Sequence, residues 1–188
     1  MLSDKADFVL KLQYMKIYVT GISGSGKSAI AKEFKSRGVF AFDIEEIEDL
    51  CYWIDKNTKE KADDYSPTMT WLKDHDWVCN FESLQKILKN NQGLLIATGI
   101  TGNQDEFLHL FDKIFLLQSP DNILAQRMEA RHMNPGENAF GKYDEEREFA
   151  LSGRREFEIR MIKRGAIPID SNKDIAEVAS KILSEIKV

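Results

Sequence analysis

A glycine-rich stretch near the start of the chain carries the residues best suited to phosphate chemistry. Residues 21–28 read GISGSGKS, which completes the pattern GxxxxGK(S/T) between a β-branched run and a helical pattern. Glycines let successive backbone N–H groups of such a loop face a phosphate, and the following helix adds its positive end. We expect Lys27 to neutralise the β and γ phosphates of a nucleoside triphosphate and Ser28 to bind Mg²⁺. The expected phosphate-binding residues are Gly21, Ser23, Gly24, Ser25, Gly26, Lys27 and Ser28.

The rest of the chain bears on whether the last phosphate goes to water or to another molecule. Switch proteins and many ATPases carry an acidic residue at the end of a core strand, where it holds Mg²⁺ and orients a water molecule. The apolar run at 94–100, LLIATGI, contains Thr98 and Gly99 there and no carboxylate. The chain also has no NKxD-like motif for guanine. These features disfavour a protein that directs water at the triphosphate.

The acidic group comes instead from Asp43, in the second apolar run at 39–44. Open α/β sheets bind ligands at the carboxyl ends of their strands, which is where Asp43 is expected. A carboxylate there can accept a proton from an acceptor hydroxyl or hold Mg²⁺ through water. Capping of the next helix is the alternative role, and the sequence DIEE fits it. Glu45 and Glu46 are expected to be acids of that helix's first turn.

Two arginines, Arg127 and Arg131, lie four residues apart in the helical pattern AQRMEAR. Residues at this spacing share one helix face, and the segment 132–143 that follows, with its proline and glycines, is expected to form a flap. Both guanidinium groups are expected to close over the triphosphate and stabilise charge that develops during transfer. The alternative is a solvated face on which they pair with acids such as Glu129. Arg154 could also reach back to the phosphates, or only carry ordinary helix charge.

The elements that position these residues alternate between short apolar runs and helical patterns. This alternation predicts an α/β fold of three layers, with a parallel five-stranded sheet and helices on both faces. The predicted strands are 16–20, 39–44, 94–100, 113–118 and 166–170. The predicted helices are 27–37, 44–54, one from 81 to the NNQG at 90–93, one opened by Ser119 as N-cap with Pro120 after it, a single long helix at 144–164, and a closing helix at 175–186.

Length and composition favour one compact domain without a membrane or nucleic-acid partner. The 188 residues are 43% hydrophobic, and the net charge of −5 disfavours a surface that tracks a polyanion. No apolar run approaches the roughly 20 residues that span a bilayer. Cys51 and Cys79 are far apart in sequence and form no CxxC motif, so we expect neither a disulfide framework nor a zinc site. We expect a cytoplasmic monomer or homodimer, with residues 1–15 as an amphipathic leader.

From Lys16 to the C-terminus the chain resembles the small P-loop kinases, which include adenylate, cytidylate, shikimate and gluconate kinases. The resemblance rests on GISGSGKS, on Asp43 after the second strand, on ATGITG at 97–102, on QRMEAR before the flap, and on GAIPIDSNKDIAEVASKIL at the end. It implies that Arg127 stacks on adenine and that Arg131 grips phosphate. It also implies that the main chain around Asp170, Ser171 and Asn172 borders the base. The pattern NAFGK with its following acidic helix is similar to uncharacterised bacterial ATP-binding proteins described as kinase-like.

In this fold class the insertion that binds the acceptor corresponds to residues 45–79. This segment contains no arginine, whereas adenylate and shikimate kinases use arginines there. Aromatic walls with few cations suit a neutral, ring-bearing acceptor such as a nucleoside. The alternatives are rings that only anchor the insertion to the core, or a stacking platform for single-stranded nucleic acid. The aromatic residues are Tyr52, Trp53, Tyr65, Trp71 and Trp77.

These observations together predict an ATP- and Mg²⁺-dependent kinase domain over residues 16–188 that phosphorylates a small-molecule acceptor, a nucleoside or nucleotide. The expected catalytic residues are Lys27, Asp43, Arg127 and Arg131; the metal ligands are Ser28 and Asp43; and Arg127, Ser171 and Asn172 complete the ATP-binding set. Two alternatives stay open. One is a kinase that acts on the ends of polynucleotides, and the other is a non-catalytic nucleotide sensor in which Asp43 only caps a helix.

Overall fold

The computed structural model describes residues 15–91, 93–131 and 140–186 of the chain. Residues 1–14 of the expected leader and residues 132–139 of the expected flap lie outside the described residues. Met15, the last residue of that leader, is described, and its backbone carbonyl accepts a hydrogen bond from the Leu95 amide at 2.9 Å. Met15 therefore lies beside the central sheet.

Five parallel strands form the central sheet in the order β2-β5-β1-β6-β7, and two antiparallel strands, β3 and β4, form a separate hairpin. The predicted five-stranded parallel sheet is thus confirmed, with strands up to three residues shorter than the apolar runs. β1 lies in the middle, so the loop that follows it opens at the centre of the carboxyl edge of the sheet. The strands are β1 (Lys16–Thr20), β2 (Phe40–Asp43), β3 (Cys51–Asp55), β4 (His75–Cys79), β5 (Leu95–Thr98), β6 (Lys113–Gln118) and β7 (Ile167–Asp170).

Helices cover both faces of the central sheet, as predicted. A hydrophobic core lies on each face of the sheet, and alternate residues of β1 contribute to both. Ile17 and Val19 pack with Phe34 in one core, while Tyr18 packs with Leu84 in the other. The helices are α1 (Lys27–Ser36), α2 (Met69–Asp74), α3 (Phe81–Asn90), α4 (Asp121–Ala130), α5 (Asp144–Ser152), α6 (Arg154–Lys163) and α7 (Ile175–Ile186). Across the described ranges, no helix is both long and apolar enough to cross a membrane.

The helix predicted at 44–54 is wrong. Only Ile44–Glu46 is helical, as one 3₁₀ turn, and the chain then reverses at Asp49, whose φ is 58°. The remaining residues enter β3, which pairs with β4. Ile47, in the turn, and Cys51, in the strand, both pack against the core. Their apolar side chains therefore recur at helical spacing although the segment is not a helix.

Two further helix boundaries differ from the predictions. The single helix expected at 144–164 is split by Gly153 into α5 and α6, because glycine is a weak helix former. Ser119 does not cap α4. Pro120 occupies the N-cap position, and the Ser119 hydroxyl is hydrogen-bonded to the Ser171 hydroxyl at 2.9 Å instead.

Candidate functional site

The loop at 21–28 folds back on itself between β1 and α1. The Ser25 amide donates to the Ile22 carbonyl at 3.1 Å, which curls the chain toward the start of α1. Gly24 and Gly26 have φ values of 83° and 99°, in the left-handed region that glycine adopts without strain. A Cβ atom on Gly24 would also lie 2.8 Å from the Leu124 carbonyl oxygen. Gly24 therefore has both a conformational and a steric reason to be there, and Gly26 has a conformational one.

Lys27 lies inside this loop rather than in solvent. Its ammonium donates to the Gly21 carbonyl at 2.9 Å and to the Ile22 carbonyl at 3.4 Å. Burial lowers the pKa of Lys27, while the nearby Glu45 and Asp43 carboxylates oppose that change. The loop carbonyls thus hold a buried cation at the start of α1, where a phosphate group could replace them as acceptor.

Asp43 faces the loop across the carboxyl edge of the sheet. Its Oδ2 accepts a hydrogen bond from the Ser28 hydroxyl at 2.7 Å, and its side chain is buried. Its Oδ1 accepts from the Glu45 amide at 3.1 Å. The carboxylate therefore caps the 3₁₀ turn and at the same time contacts Ser28 at the start of α1. A capping role and a role beside the phosphate-binding loop, the two roles considered from sequence, are thus compatible.

Glu45 is a second carboxylate in the site, and sequence reasoning assigned it only to a helix turn. Its Oε1 lies 3.8 Å from the Lys27 ammonium and accepts a hydrogen bond from the Ile100 amide at 2.9 Å. Burial raises the pKa of Glu45; Lys27 lowers it and Asp43 raises it further. The side chain keeps 29% exposure, so it remains reachable from solvent. The acid-x-acid spacing of DIE at a strand end was the signal that could have found it.

Buried hydroxyl groups beside these acids favour a polar ligand. Within the part of the chain that the structure describes, the side-chain hydroxyl groups of Ser25 and Thr98 are buried without a hydrogen-bond partner. Thr98 lies directly opposite Asp43 in the pairing of β2 and β5. The described residues contain no group of three or more His, Cys, Asp or Glu side chains that could hold a metal. Ser28 and Asp43 fit Mg²⁺, which binds through one or two protein oxygens together with waters and substrate phosphates.

Arg127 connects the loop to the ends of two neighbouring strands. Its guanidinium donates to the Gly24 carbonyl at 3.4 Å, the Ser119 hydroxyl at 3.2 Å and the Ser171 carbonyl at 3.1 Å. The structure thus brings Arg127 together with Ser171, two residues that the kinase resemblance assigns to the base-binding side of the site. Asn172 follows on the exposed turn after β7, where its amide donates to Asp170 at 2.9 Å.

Arg131 lies one turn further along, near the acidic and basic groups of the site. Its guanidinium donates to the Phe140 carbonyl at 2.6 Å. Burial is the main cause of the lowered pKa of Lys27, and the positive charge of Arg131 adds to it. Arg154 is placed differently, because it forms ion pairs with Asp121 and with Glu158 on its own helix. The structure therefore brings Arg131, but not Arg154, close to Lys27.

Three aromatic residues of the insertion pack around Trp53, whereas the ring centroid of Tyr52 lies 6.0 Å from the Lys61 ammonium. The ring centroid of Trp53 lies 5.8 Å from that of Tyr65, 5.0 Å from that of Trp71 and 5.4 Å from that of Trp77. Phe140 joins the group at 6.3 Å. The indole N–H groups of Trp71 and Trp77 are buried and have no hydrogen-bond partner among the described residues. We call these five rings the aromatic cluster.

A buried carboxylate, Glu146, fastens the aromatic cluster to α5. It accepts hydrogen bonds from the Tyr65 hydroxyl and from the Gly141 and Tyr143 amides, the last two at 2.9 and 3.1 Å. The next acid, Glu145, accepts from the Met69 amide at the start of α2. The insertion is therefore held against the helix that follows the expected flap.

Comparisons with known proteins agree with this fold. A family model described as "AAA domain" matches residues 17–150. No curated protein sequence matches the chain. Among solved structures, shikimate kinase from Acinetobacter baumannii in complex with shikimate is 18% identical, covers 95% of this chain and 96% of its own, and has a TM-score of 0.54.

Two further solved structures are similar over nearly the whole chain. A gluconokinase from Sinorhizobium meliloti 1021 is 16% identical, with coverage of 93% and 92% and a TM-score of 0.51. Deoxyadenosine kinase from M. mycoides with bound dATP is 15% identical, with coverage of 93% and 100% and a TM-score of 0.53. At these identities the likeness concerns the fold alone.

Proposed function

Because this chain belongs to the family described as AAA domain, we propose that it transfers the γ-phosphoryl group of ATP to a small-molecule acceptor, a nucleoside or nucleotide. The observation that carries the proposal is the contact of Ser28 and Asp43 at 2.7 Å beside the buried Lys27. A phosphate-binding loop alone is compatible with hydrolysis or sensing. A carboxylate that faces such a loop across a sheet edge is what transfer to a hydroxyl group needs.

The donor side is formed by the loop and the two arginines. Lys27 would bind the β and γ phosphates in place of the Gly21 carbonyl, and Ser28 and Asp43 would hold Mg²⁺ directly or through water. Bound Mg²⁺ would neutralise charge on the phosphates during transfer. Arg127 would border the nucleoside together with Ser171 and Asn172. Arg131 would stabilise charge on the transferred group.

The acceptor side is formed by the two carboxylates. Asp43 already accepts a hydrogen bond from Ser28, which supports a role for Asp43 as metal ligand, whereas Glu45 is partly exposed and lies next to Lys27. We assign to Glu45 the role of general base. Its carboxylate would orient the hydroxyl group of the acceptor and accept the proton of that group. A raised pKa suits that role, because a general base works best when its pKa lies near the operating pH.

The insertion supports an uncharged, ring-bearing acceptor. Residues 45–79 contain no arginine, so a second phosphate group would find no bidentate partner there. The buried, unpaired indole N–H groups of Trp71 and Trp77 could donate to a polar ring substituent once the aromatic cluster shifts. A nucleoside is also the substrate class in the name of one similar structure, the deoxyadenosine kinase.

Formation of ADP, measured with ATP and Mg²⁺ against nucleosides, nucleotides and small hydroxy acids, tests this proposal. We expect turnover that depends on the acceptor and is highest with a nucleoside. Tight ATP binding without acceptor-dependent turnover in any of these classes would contradict it and would favour a nucleotide sensor.

A further inference from the structure

The two cysteines of the chain are neighbours across the β3–β4 hairpin, although they are far apart in sequence. Cys51 lies directly opposite Cys79 in the antiparallel register. They are the chain's only two cysteines, and both thiols are free. The expectation from sequence, that no disulfide framework exists, was based on their separation and not on their position in space.

The hydrogen bonds around the hairpin define the kind of pair that they form. The neighbouring Asn80 amide donates to the Leu50 carbonyl at 2.8 Å, which marks a hydrogen-bonded position of the ladder. The amide and carbonyl of Cys79 point away from β3 and bond to the Asn103 side chain at 2.9 and 3.0 Å. Cys51 and Cys79 therefore form a non-hydrogen-bonded pair, in which Cα atoms are about 4.5 Å apart. That spacing lies within the range that a disulfide spans.

The two thiols also face the same side of the hairpin and have weak partners. Directly opposite residues of an antiparallel pair project to one face, and here that face packs on the core. The Cys51 thiol donates to the Ile44 carbonyl at 3.4 Å, and the Cys79 thiol donates to the Asn80 carbonyl at 3.8 Å. Neither contact would oppose a bond between the two sulfur atoms.

We propose that Cys51 and Cys79 are an oxidative modification site, at which a hydroperoxide converts the two thiols into one reversible disulfide. The Cys51 sulfur, the more exposed of the two, attacks the peroxide, whose O–O bond breaks; Cys51 becomes a sulfenic acid and the peroxide leaves as an alcohol or water. The Cys79 sulfur then attacks the sulfenic sulfur, forms the S–S bond and releases water. Two thiols are oxidised and one peroxide is reduced, so atoms and electrons balance.

The surroundings of Cys51 make the first step slow. A hydrogen bond with Cys79, burial, and the negative charges of Glu45 and Asp43 raise the pKa of the Cys51 thiol. Little of it is therefore the reactive thiolate at neutral pH. The second step is fast by comparison, because the resolving thiol already lies opposite. The site thus responds to sustained oxidation rather than to a brief pulse.

Oxidation would act on the candidate active site through Ile44, a consequence that rests on the proposed function. A disulfide has no S–H group, so the Ile44 carbonyl would lose its donor. Ile44 separates Asp43 from Glu45 in sequence, and its side chain is fully buried, which leaves it little room to move. We expect a several-fold loss of turnover on oxidation.

The test incubates the full-length protein with hydrogen peroxide for about a day and measures intact mass under denaturing conditions. We expect the monomer to lose the mass of two hydrogen atoms, and a thiol reductant to restore it. We also expect the melting temperature to rise on the order of 5–10 °C, because the disulfide closes a long loop. Cys51→Ser and Cys79→Ser are matched controls that should show neither change.

Oxygen adducts without loss of hydrogen, or disulfide-linked dimers, would overturn the proposal. So would a folded protein that stays reduced while the same chain in urea forms the disulfide. The mass and melting readouts need no enzymatic activity. Absence of turnover in the untreated protein would therefore count against the proposed function and leave the result for the cysteines intact.

Discussion

The hydroxyl of Ser28 donates a hydrogen bond to Oδ2 of Asp43 at 2.7 Å, which joins the start of α1 to the end of β2. The strands β1, β5 and β2 are adjacent, so both residues emerge at one sheet edge. The contact leaves the pair in the position where a divalent cation could bridge them to a phosphate.

Ser28→Ala removes both the expected Mg²⁺ ligand and the partner of Asp43. We predict that turnover falls roughly 100-fold, within the range for loss of one electrostatic group, and that the Mg²⁺ concentration for half-maximal activity rises. Stability should change by about 1 kcal/mol, the value of one hydrogen bond. Steady-state kinetics over a Mg²⁺ titration checks this.

Ser36→Ala is the matched control, since its hydroxyl bonds only to the Glu33 carbonyl at the far end of α1. Its kinetics should resemble those of the unmodified protein. If Ser28→Ala kept normal turnover and Mg²⁺ dependence, the assignment of Ser28 as a metal ligand would be wrong.

Arg127→Lys tests the contacts that Arg127 makes with the loop at Gly24 and with Ser119 and Ser171. A lysine cannot reach three acceptors in the fixed fork of a guanidinium. We predict about a tenfold rise in KM for ATP, equivalent to about 1.4 kcal/mol, with kcat within a few-fold. Arg164→Lys, whose partner Asp105 lies elsewhere, should leave both constants unchanged. A fall in kcat with an unchanged KM would contradict the placement.

Glu45→Gln tests the raised pKa of the second carboxylate of the site through the pH dependence of stability. The pKa of Glu45 is raised in the folded state, mainly by burial. At pH values between the ordinary and the raised pKa, the folded state therefore keeps a proton that the unfolded state has released. Stability of the unmodified protein should therefore fall relative to Glu45→Gln as pH rises from about 4.3, the ordinary Glu value. The fall should end above the raised pKa.

Denaturant midpoints measured from pH 4 to pH 8 provide this comparison. Glu46→Gln, at the exposed neighbouring acid, serves as control for the loss of one carboxylate charge in this segment. If the difference between Glu45→Gln and the unmodified protein stayed constant over this pH range, the raised pKa of Glu45 would be contradicted.

Tyr65→Phe separates the hydroxyl contact with Glu146 from ring packing in the aromatic cluster. Loss of one hydrogen bond to a buried carboxylate should cost about 1 kcal/mol, which lowers the melting temperature by about 2–4 °C for a chain of this size. Tryptophan emission should change little, because the ring still stacks on Trp53. Tyr143→Phe, at an exposed ring, is the control. An equal melting temperature for both variants would contradict the contact.

The elements that sequence predicted best are those with local signals. The glycines of the loop, the β-branched residues of β1 and the closing amphipathic helix each act through neighbours a few residues away. The hairpin was missed because Ile44, Ile47, Cys51 and Ile54 satisfy a helical spacing, while the pairing of β3 with β4 depends on residues 20 to 28 positions apart.

The site was predicted in part for the same reason. Lys27 and Ser28 belong to a local motif, and Asp43 followed from a rule about strand ends. Glu45 was missed because DIEE also fits a helix start, and only the β2–β5 edge shows that its carboxylate meets Ile100 and Lys27. The proximity of Cys51 to Cys79 is a property of register, which spacing alone does not reveal.

The central claim is that Asp43, which contacts the loop through the Ser28 hydroxyl, serves phosphoryl transfer and is more than a helix cap. Asp43→Asn tests it most directly, because an asparagine oxygen still caps the Glu45 amide. The measurement is acceptor-dependent phosphoryl transfer from ATP together with ATP affinity and melting temperature. We predict a loss of at least about 100-fold in transfer, with ATP affinity within a few-fold and stability nearly unchanged. Full transfer activity in Asp43→Asn, or a variant that only loses stability, would contradict the account.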